Sequence, residues 1–167
     1  RKVEIGLRLF GGFSLGRGGN GGDGLSYEKG RALLAYAAVE ADAAHSRRAL
    51  AALFWPDHPA TAALANLRLV LLNLRQALEA GGLPMLQIDR DSVRFAPECL
   101  LAVDTARFSA VLAKAANLPA GKQISIPDLQ ELATAAALYR GEFLAGFSLP
   151  ECPDFETWLQ MRREAWH

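Results

Sequence analysis

The segment PATAALANLRLVLLNLRQALEA, residues 59–80, decides the fold of this chain. Its leucines recur at alternating steps of three and four residues, which is the spacing of one buried stripe along an α-helix. Proline suits the first helical turn, and glycine followed by proline suits the end of a helix. The sequence therefore predicts a long amphipathic helix whose inner stripe consists of Leu64, Leu67, Leu71, Leu74 and Leu78, with Ala63 and Val70 beside it.

The opposite face of this helix carries a different set of side chains. At 100° per residue it presents Ala65, Leu69, Leu72, Asn73 and Gln76, with Arg68 and Arg75 on one flank. Amide and guanidinium groups at helical spacing suit the edges and phosphates of duplex DNA. Two outward leucines equally suit an interface with another protein. The function of the chain therefore depends on what this outer face contacts.

Composition indicates an ordinary globular protein with neither a membrane span nor a disulfide scaffold. The chain has 167 residues, a net charge of zero, 51% hydrophobic residues and two cysteines without a CxxC motif. No apolar run reaches the roughly 18–20 residues that span a bilayer, and the alternating start lacks a signal-peptide core. We expect a cytoplasmic protein with no membrane partner. Residues 1–97 carry twelve Lys/Arg and nine Asp/Glu, whereas residues 98–167 carry six and nine; this weak asymmetry fits a basic module followed by an acidic one.

The order of elements in residues 1–97 is typical of a winged helix. Short alternating runs at 3–9, 13–15 and 25–27 predict a small antiparallel sheet, followed by a helix over 28–41. Ser46 caps a second helix, RRALAALFW, and the long helix follows it. Two alternating runs within residues 86–95 then predict a β-hairpin. Three helices followed by a hairpin form a winged helix, and the leading sheet indicates the OmpR-like variant.

Residues 98–167 predict an all-α segment. A join over 98–106 leads to a helix that Asp104 and Thr105 cap, and strong helical periodicity follows over 128–144. A last helix opens at Asp154. Three amphipathic helices in seventy residues suggest the start of a tetratricopeptide-like array, so we expect a piece of a longer protein. The fold class is α+β, with a winged helix at 1–97 and a helical segment at 98–167.

Four stretches of the chain resemble one family in the same order. They are LRLFGGFSL, KGRALLAYAAVE, ALFWPDHPATAALANLRLVLLNLRQAL and LYRGEFLAGFSLPECPDFETWLQMRRE. The chain resembles the Streptomyces antibiotic regulatory protein family, in which an OmpR-type winged helix precedes a bacterial transcriptional activator domain. The resemblance implies a transcription regulator that binds direct repeats as a dimer or in tandem and contacts RNA polymerase. Family members usually carry polar or basic residues near the positions of Leu69, Leu72 and Asn73.

In the DNA-binding hypothesis, helix 60–78 enters the major groove and the wing at 86–95 lies on the backbone. Amides read adenine edges, leucines meet thymine methyls and arginines hold phosphates. The predicted DNA-binding residues are Arg47, Arg48, Thr61, Asn66, Arg68, Leu69, Leu72, Asn73, Arg75, Gln76, Arg90 and Arg94.

Two alternatives accompany this hypothesis. The arginines are solvated surface in the simpler interpretation, with Arg75 paired to Glu79 one turn on. Leu69 and Leu72 favour a protein–protein interaction module on the same fold. An enzyme is not expected, because His45, His58 and His167 lack partnered acids and no nucleophile motif occurs. The Gly-rich stretch 16–24 lacks the Lys-Ser/Thr of a phosphate loop, and we expect neither a cofactor nor a metal.

Overall fold

In the described part of the chain, the fold combines six α-helices with two small antiparallel sheets. The structure, a computed structural model, describes residues 5–16, 25, 27–119, 121 and 123–166. In chain order the elements are β1 (Leu7–Arg8), β2 (Ser14–Leu15), α1 (Glu28–Val39), β3 (His45–Ser46), α2 (Arg47–Phe54), α3 (Ala60–Ala80), β4 (Leu86–Ile88), β5 (Ser92–Phe95), a 3-10 helix (Pro97–Ala102), α4 (Asp104–Ala116), α5 (Ile126–Leu138) and α6 (Pro153–Ala165). The α+β class and the order of three helices followed by a hairpin are confirmed. No helix in the described part of the chain has the length and apolar character that crossing a membrane requires.

Helix α3 is the longest element and forms the centre of the N-terminal half. Its inner stripe is buried as predicted, except that Leu64 is only half-buried. Pro59 precedes the helix and its carbonyl accepts from Ala63 N at 2.9 Å. Gly82 has a φ of +67°, a conformation that glycine adopts without strain, and the chain turns there out of the helix. Helices α1 and α2 both pack against α3.

The sheets differ in part from the prediction. Strands β1 and β2 pair as expected, with Leu7 opposite Leu15, but each is only two residues long. The third strand predicted over 25–27 is wrong for Leu25 and Tyr27, which belong to no strand, and Ser26 lies outside the described residues. Residues 3–4 and the Gly-rich stretch at 17–24 also lie outside them. A separate sheet contains β3, β5 and β4 in that order, because His45 pairs with Val93 of the hairpin.

The helix predicted over 128–144 is wrong at its C-terminal end. Helix α5 begins at Ile126, where Ser125 Oγ accepts from Asp128 N at 3.2 Å, and ends at Leu138. Phe143 lies in the following loop, buried, and forms a bridge to Phe10. Arg163 of α6 donates to the carbonyls of Phe143 at 3.0 Å and of Leu144 at 2.7 Å, so the loop backbone is paired without a helix.

The two halves of the chain share one hydrophobic cluster. Buried side chains on both sides of Pro97 belong to it, from Leu7 to Leu159. Glu40, at the end of α1, accepts a hydrogen bond from Trp158 Nε1 at 2.9 Å and forms an ion pair with Arg162. Burial acts to raise the pKa of Glu40, but the bonds from Arg162 and Trp158 outweigh it and the pKa is lowered. The division into domains at residue 97 stays a prediction.

Asp104 does not cap the helix that it was predicted to cap. It is the first residue of α4, it is 0% exposed, and no side-chain cap is present there. Its Oδ1 accepts from Leu9 N at 2.8 Å and from Thr105 N at 2.8 Å, and its Oδ2 accepts from Phe10 N at 3.0 Å. Burial raises the pKa of Asp104, while these three N–H groups act to lower it. The carboxylate therefore joins the N-terminal segment that contains Leu9 and Phe10 to the helical half of the chain, residues 98–167.

We expect Asp104→Asn to lower the free energy of unfolding by about 2–3 kcal/mol, because the new amide group would face the N–H of Phe10 and leave a buried donor unpaired. Urea unfolding at neutral pH measures the change. Asp42→Asn, an exposed carboxylate in the turn after α1, is the control and should change stability by less than about 0.5 kcal/mol. Equal stability of the two variants would contradict the role given to Asp104.

Candidate nucleic-acid interface

The outer face of α3 is continuous and solvent-exposed. At 100° per residue, seven side chains over about four turns fall within about 120° of one another around the helix axis, so they share one side of the helix. These exposed residues are Thr61, Ala65, Arg68, Leu69, Leu72, Arg75 and Gln76. Six of the seven were predicted as DNA-binding residues from the sequence, and Ala65 was placed on the outer face. The structure therefore brings them together on one surface.

This face has a neutral centre and two different flanks. From helix geometry, Ala65, Leu69, Leu72 and Gln76 run along the middle. Arg68 and Arg75 lie on one flank, both exposed, and Asn66 and Asn73 lie half-buried on the other. Among the described residues, Arg75 forms no ion pair with Glu79, so the pairing considered from the sequence is wrong.

Leu69 and Leu72 are the most exposed large apolar side chains on α3. Their relative exposures are 56% and 51%, and no element of the described chain covers them. Leu69 and Asn66 line one side of a groove of about 400 Å³, and Tyr27, Trp55 and Leu149 line it from other segments.

Acidic side chains also reach this groove. Glu28 at the start of α1 and Glu151 in the loop before α6 line it. Lys29 lines it as well, with its Nζ 4.0 Å from Glu151 and 5.1 Å from the centre of the Trp55 ring. Sequence reasoning missed this cluster, because its members are up to 123 positions apart and no local motif joins them. The groove side of α3 therefore has a more acidic border than the side of Arg68 and Arg75.

Arg47, at the start of α2, is tied to the turn of the hairpin. Its Nε and Nη2 donate to the carbonyl of Asp89 at 3.0 and 2.8 Å, and its backbone N donates to Asp91 O at 2.9 Å. Arg48, the next residue, is exposed and lines a groove of about 620 Å³ between α2 and α3 together with Thr61. Arg47 thus holds the hairpin turn, while Arg48 lies beside the start of α3.

The hairpin carries the remaining predicted contacts. Arg90 is exposed in its turn, between the exposed Asp89 and Asp91, and Asp89 N donates to Ser92 O at 2.8 Å. Arg94 lies opposite Gln87 on β4 and is half-buried, with its Nε buried and without a hydrogen-bond partner. The turn therefore presents one cation and two carboxylates to solvent.

The described residues also include potential metal ligands and two thiols. No three His, Cys, Asp or Glu side chains among them come together in a group able to hold a metal ion. Cys99 and Cys152 are free, and burial raises the pKa of both thiols. Cys152 Sγ donates to Phe54 O at 3.2 Å, a contact between α2 and the helical half.

Comparison with known proteins identifies a similar fold. No protein-family model and no curated protein matches the chain. The solved structure of Mycobacterium tuberculosis EmbR in complex with a low-affinity phosphopeptide matches with a TM-score of 0.64 at 22% sequence identity. The likeness is one of fold. It covers 97% of this chain and 43% of the EmbR chain, so this chain spans less than half of that protein.

We expect Arg47→Lys to loosen the hairpin, because an ammonium group keeps the charge but loses the two-bond contact with the Asp89 carbonyl. Amides within residues 86–95 should exchange with solvent deuterium about fivefold faster, as loss of about 1 kcal/mol of local stability implies. Arg48→Lys is the matched control, since its exposed side chain has no hydrogen bond to the hairpin, and exchange should stay at the wild-type rate. Wild-type rates in Arg47→Lys would show that the contact does not hold the turn.

Proposed function

We propose that this chain is the DNA-binding part of a transcription regulator, with α3 lying in the major groove of duplex DNA. The observation that carries the proposal is the outer face of α3, which is exposed along its length and has no cover in the described structure. A helix that follows a shorter helix and precedes a hairpin is the element that enters the groove in winged-helix proteins. The fold shared with EmbR is compatible with this proposal.

Each part of the surface has a distinct role in this proposal. Arg68 and Arg75 bind phosphates on one side of the groove, and Arg48 with Thr61 binds them at the start of α3. Gln76 and the half-buried Asn66 and Asn73 offer amide groups to base edges. The hairpin lies along the backbone with Arg90 and Arg94, and Arg47 holds its turn in position.

The wider assignments follow from the family resemblance. Residues 1–97 form an OmpR-like winged-helix domain, and residues 98–167 begin a tetratricopeptide-like activator domain that contacts RNA polymerase. The packing of α4 against α5, joined by the Lys114–Glu131 ion pair at 3.1 Å, is compatible with such an array. Binding to direct repeats, as a dimer or in tandem, and a cytoplasmic location belong to the same proposal.

We expect the double variant Arg68→Ala/Arg75→Ala to weaken duplex binding and to flatten its dependence on salt. Each lost phosphate contact lowers the slope of log K against log salt by about 0.9, so the pair should lower it by nearly two. Fluorescence anisotropy with a labelled random duplex, over a series of salt concentrations, measures both effects.

Arg140→Ala is the matched control for charge. Arg140 is exposed in the loop after α5, against Gly11 of the N-terminal segment, and its loss should leave the salt slope unchanged. An identical slope in the double variant and in wild type would remove Arg68 and Arg75 from the interface. Absence of any duplex binding at low salt would remove the proposed function itself.

A second candidate function is a protein-interaction surface on the same fold. The exposed Leu69, together with the groove of about 400 Å³ beside it, favours this candidate. Burying two leucines against a partner is worth about 1.5–3 kcal/mol each when complete. If this function holds, Leu69→Asp should change the assembly state in light scattering; an unaltered mass would count against self-association through this face.

A further inference from the structure

The centre of the α3 outer face lacks charge and is rich in exposed apolar groups. Ala65, Leu69 and Leu72 follow one another along it, and the two leucines are separated by one helical turn. Side chains spaced i, i+3 on a helix have Cβ atoms about 5–6 Å apart, so their ends act as one ridge. Such a ridge has no donor or acceptor with which to read the polar pattern of a base edge.

The only apolar group that a base pair presents in the major groove is the C5-methyl group of thymine. We propose that Leu69 and Leu72 pack on the methyl groups of neighbouring thymines, so that the preferred duplex carries consecutive thymines beneath α3. Stacked bases lie about 3.4 Å apart along one strand, which places two adjacent methyl groups within reach of two branched side chains. The inference rests on the proposed DNA-binding function and deepens it to a class of sequence.

The side chains around the ridge favour a duplex as its occupant. Ala65 is small and lets the helix backbone approach the groove closely. Arg68 and Arg75 are exposed on one flank and have no ion-pair partner among the described residues, so two free cations lie where phosphates border the groove. An apolar ridge bordered by unpaired cations is complementary to methyl groups bordered by phosphates.

The expected preference for thymine depends on a single group, its C5-methyl. Deoxyuridine pairs as thymine does and keeps the O4 acceptor but lacks the methyl, whereas 5-methylcytosine has the methyl with a different polar edge. Removing one buried methyl costs about fourfold in affinity, so removing two from one step should cost about tenfold or more. A reader of polar edges alone would not respond to deoxyuridine.

The experiment starts with selection of bound duplexes from a random pool at low salt, using the wild-type chain. In the selected duplex, adjacent thymines are then replaced pairwise by deoxyuridine, and the dissociation constants are measured by anisotropy. Wild type should lose about tenfold at one step. Leu69→Ala/Leu72→Ala should bind the thymine duplex more weakly and should bind the thymine and deoxyuridine duplexes equally, because the coupled partner is gone. A single 5-methylcytosine–guanine pair in place of either deoxyuridine–adenine pair should restore part of the wild-type affinity.

Leu112→Ala is the matched control, since Leu112 is a 47% exposed leucine on α4, and this variant should discriminate between the duplexes as wild type does. Equal wild-type affinity for both duplexes, or discrimination that persists in the leucine double variant, would overturn the inference while leaving salt-dependent binding intact. Loss of all duplex binding by wild type would overturn the proposed function and this inference together. A leucine double variant that keeps its DNA affinity but changes in mass by light scattering would assign the ridge to a protein partner instead.

Discussion

Burial of the inner stripe of α3 is the constraint on which the candidate interface depends. Leu67, Leu71 and Leu74 are each at most 3% exposed, and together they fix the rotation of the helix about its axis. Turning the helix by one residue, 100°, would move leucines into water and carry Arg68 toward the core. Either change costs several kcal/mol, since a buried leucine is worth about 1.5–3 kcal/mol and an unpaired buried charge costs more. The identity of every outward side chain follows from this packing.

Contacts around α3 also fix the positions of the neighbouring elements relative to the helix. Arg47 joins the first turn of α2 to the hairpin turn, so the hairpin and the helix pair cannot move independently without breaking two charge-assisted bonds. On another side, Glu40 receives Trp158 and Arg162 of α6. The helical half is thus packed onto α1 rather than connected by a flexible linker. Any protein that binds the helical half would be held at a defined orientation to the face of α3.

Sequence periodicity correctly predicted the elements that depend on local spacing. It failed where contacts between distant parts of the chain determine the structure. The stripe of α3, the cap by Ser46 and the hairpin all follow from spacing within about twenty residues, and the structure confirms them. Asp104 has the sequence signature of a cap, but its carboxylate instead binds amides about 95 positions away. Phe143 continues a helical pattern, yet it leaves the helix to meet Phe10. The same limit applies to the candidate site, where the outer face of α3 was predicted and the cluster of Glu151 and Lys29 was not.

The charge distribution affects how the proposed DNA-binding surface on α3 would select among DNA sequences. The chain has no net charge, and the hairpin turn presents Asp89 and Asp91 beside Arg90, so long-range attraction to phosphate is weak. If the chain binds DNA as proposed, sequence-independent binding, which depends on released counterions, would be limited to a few exposed arginines. A methyl contact requires close fit and is unaffected by salt screening, so it adds affinity only at the correct step. Under the proposed DNA-binding function, selectivity would therefore rest on contact with Leu69 and Leu72 more than on accumulated charge.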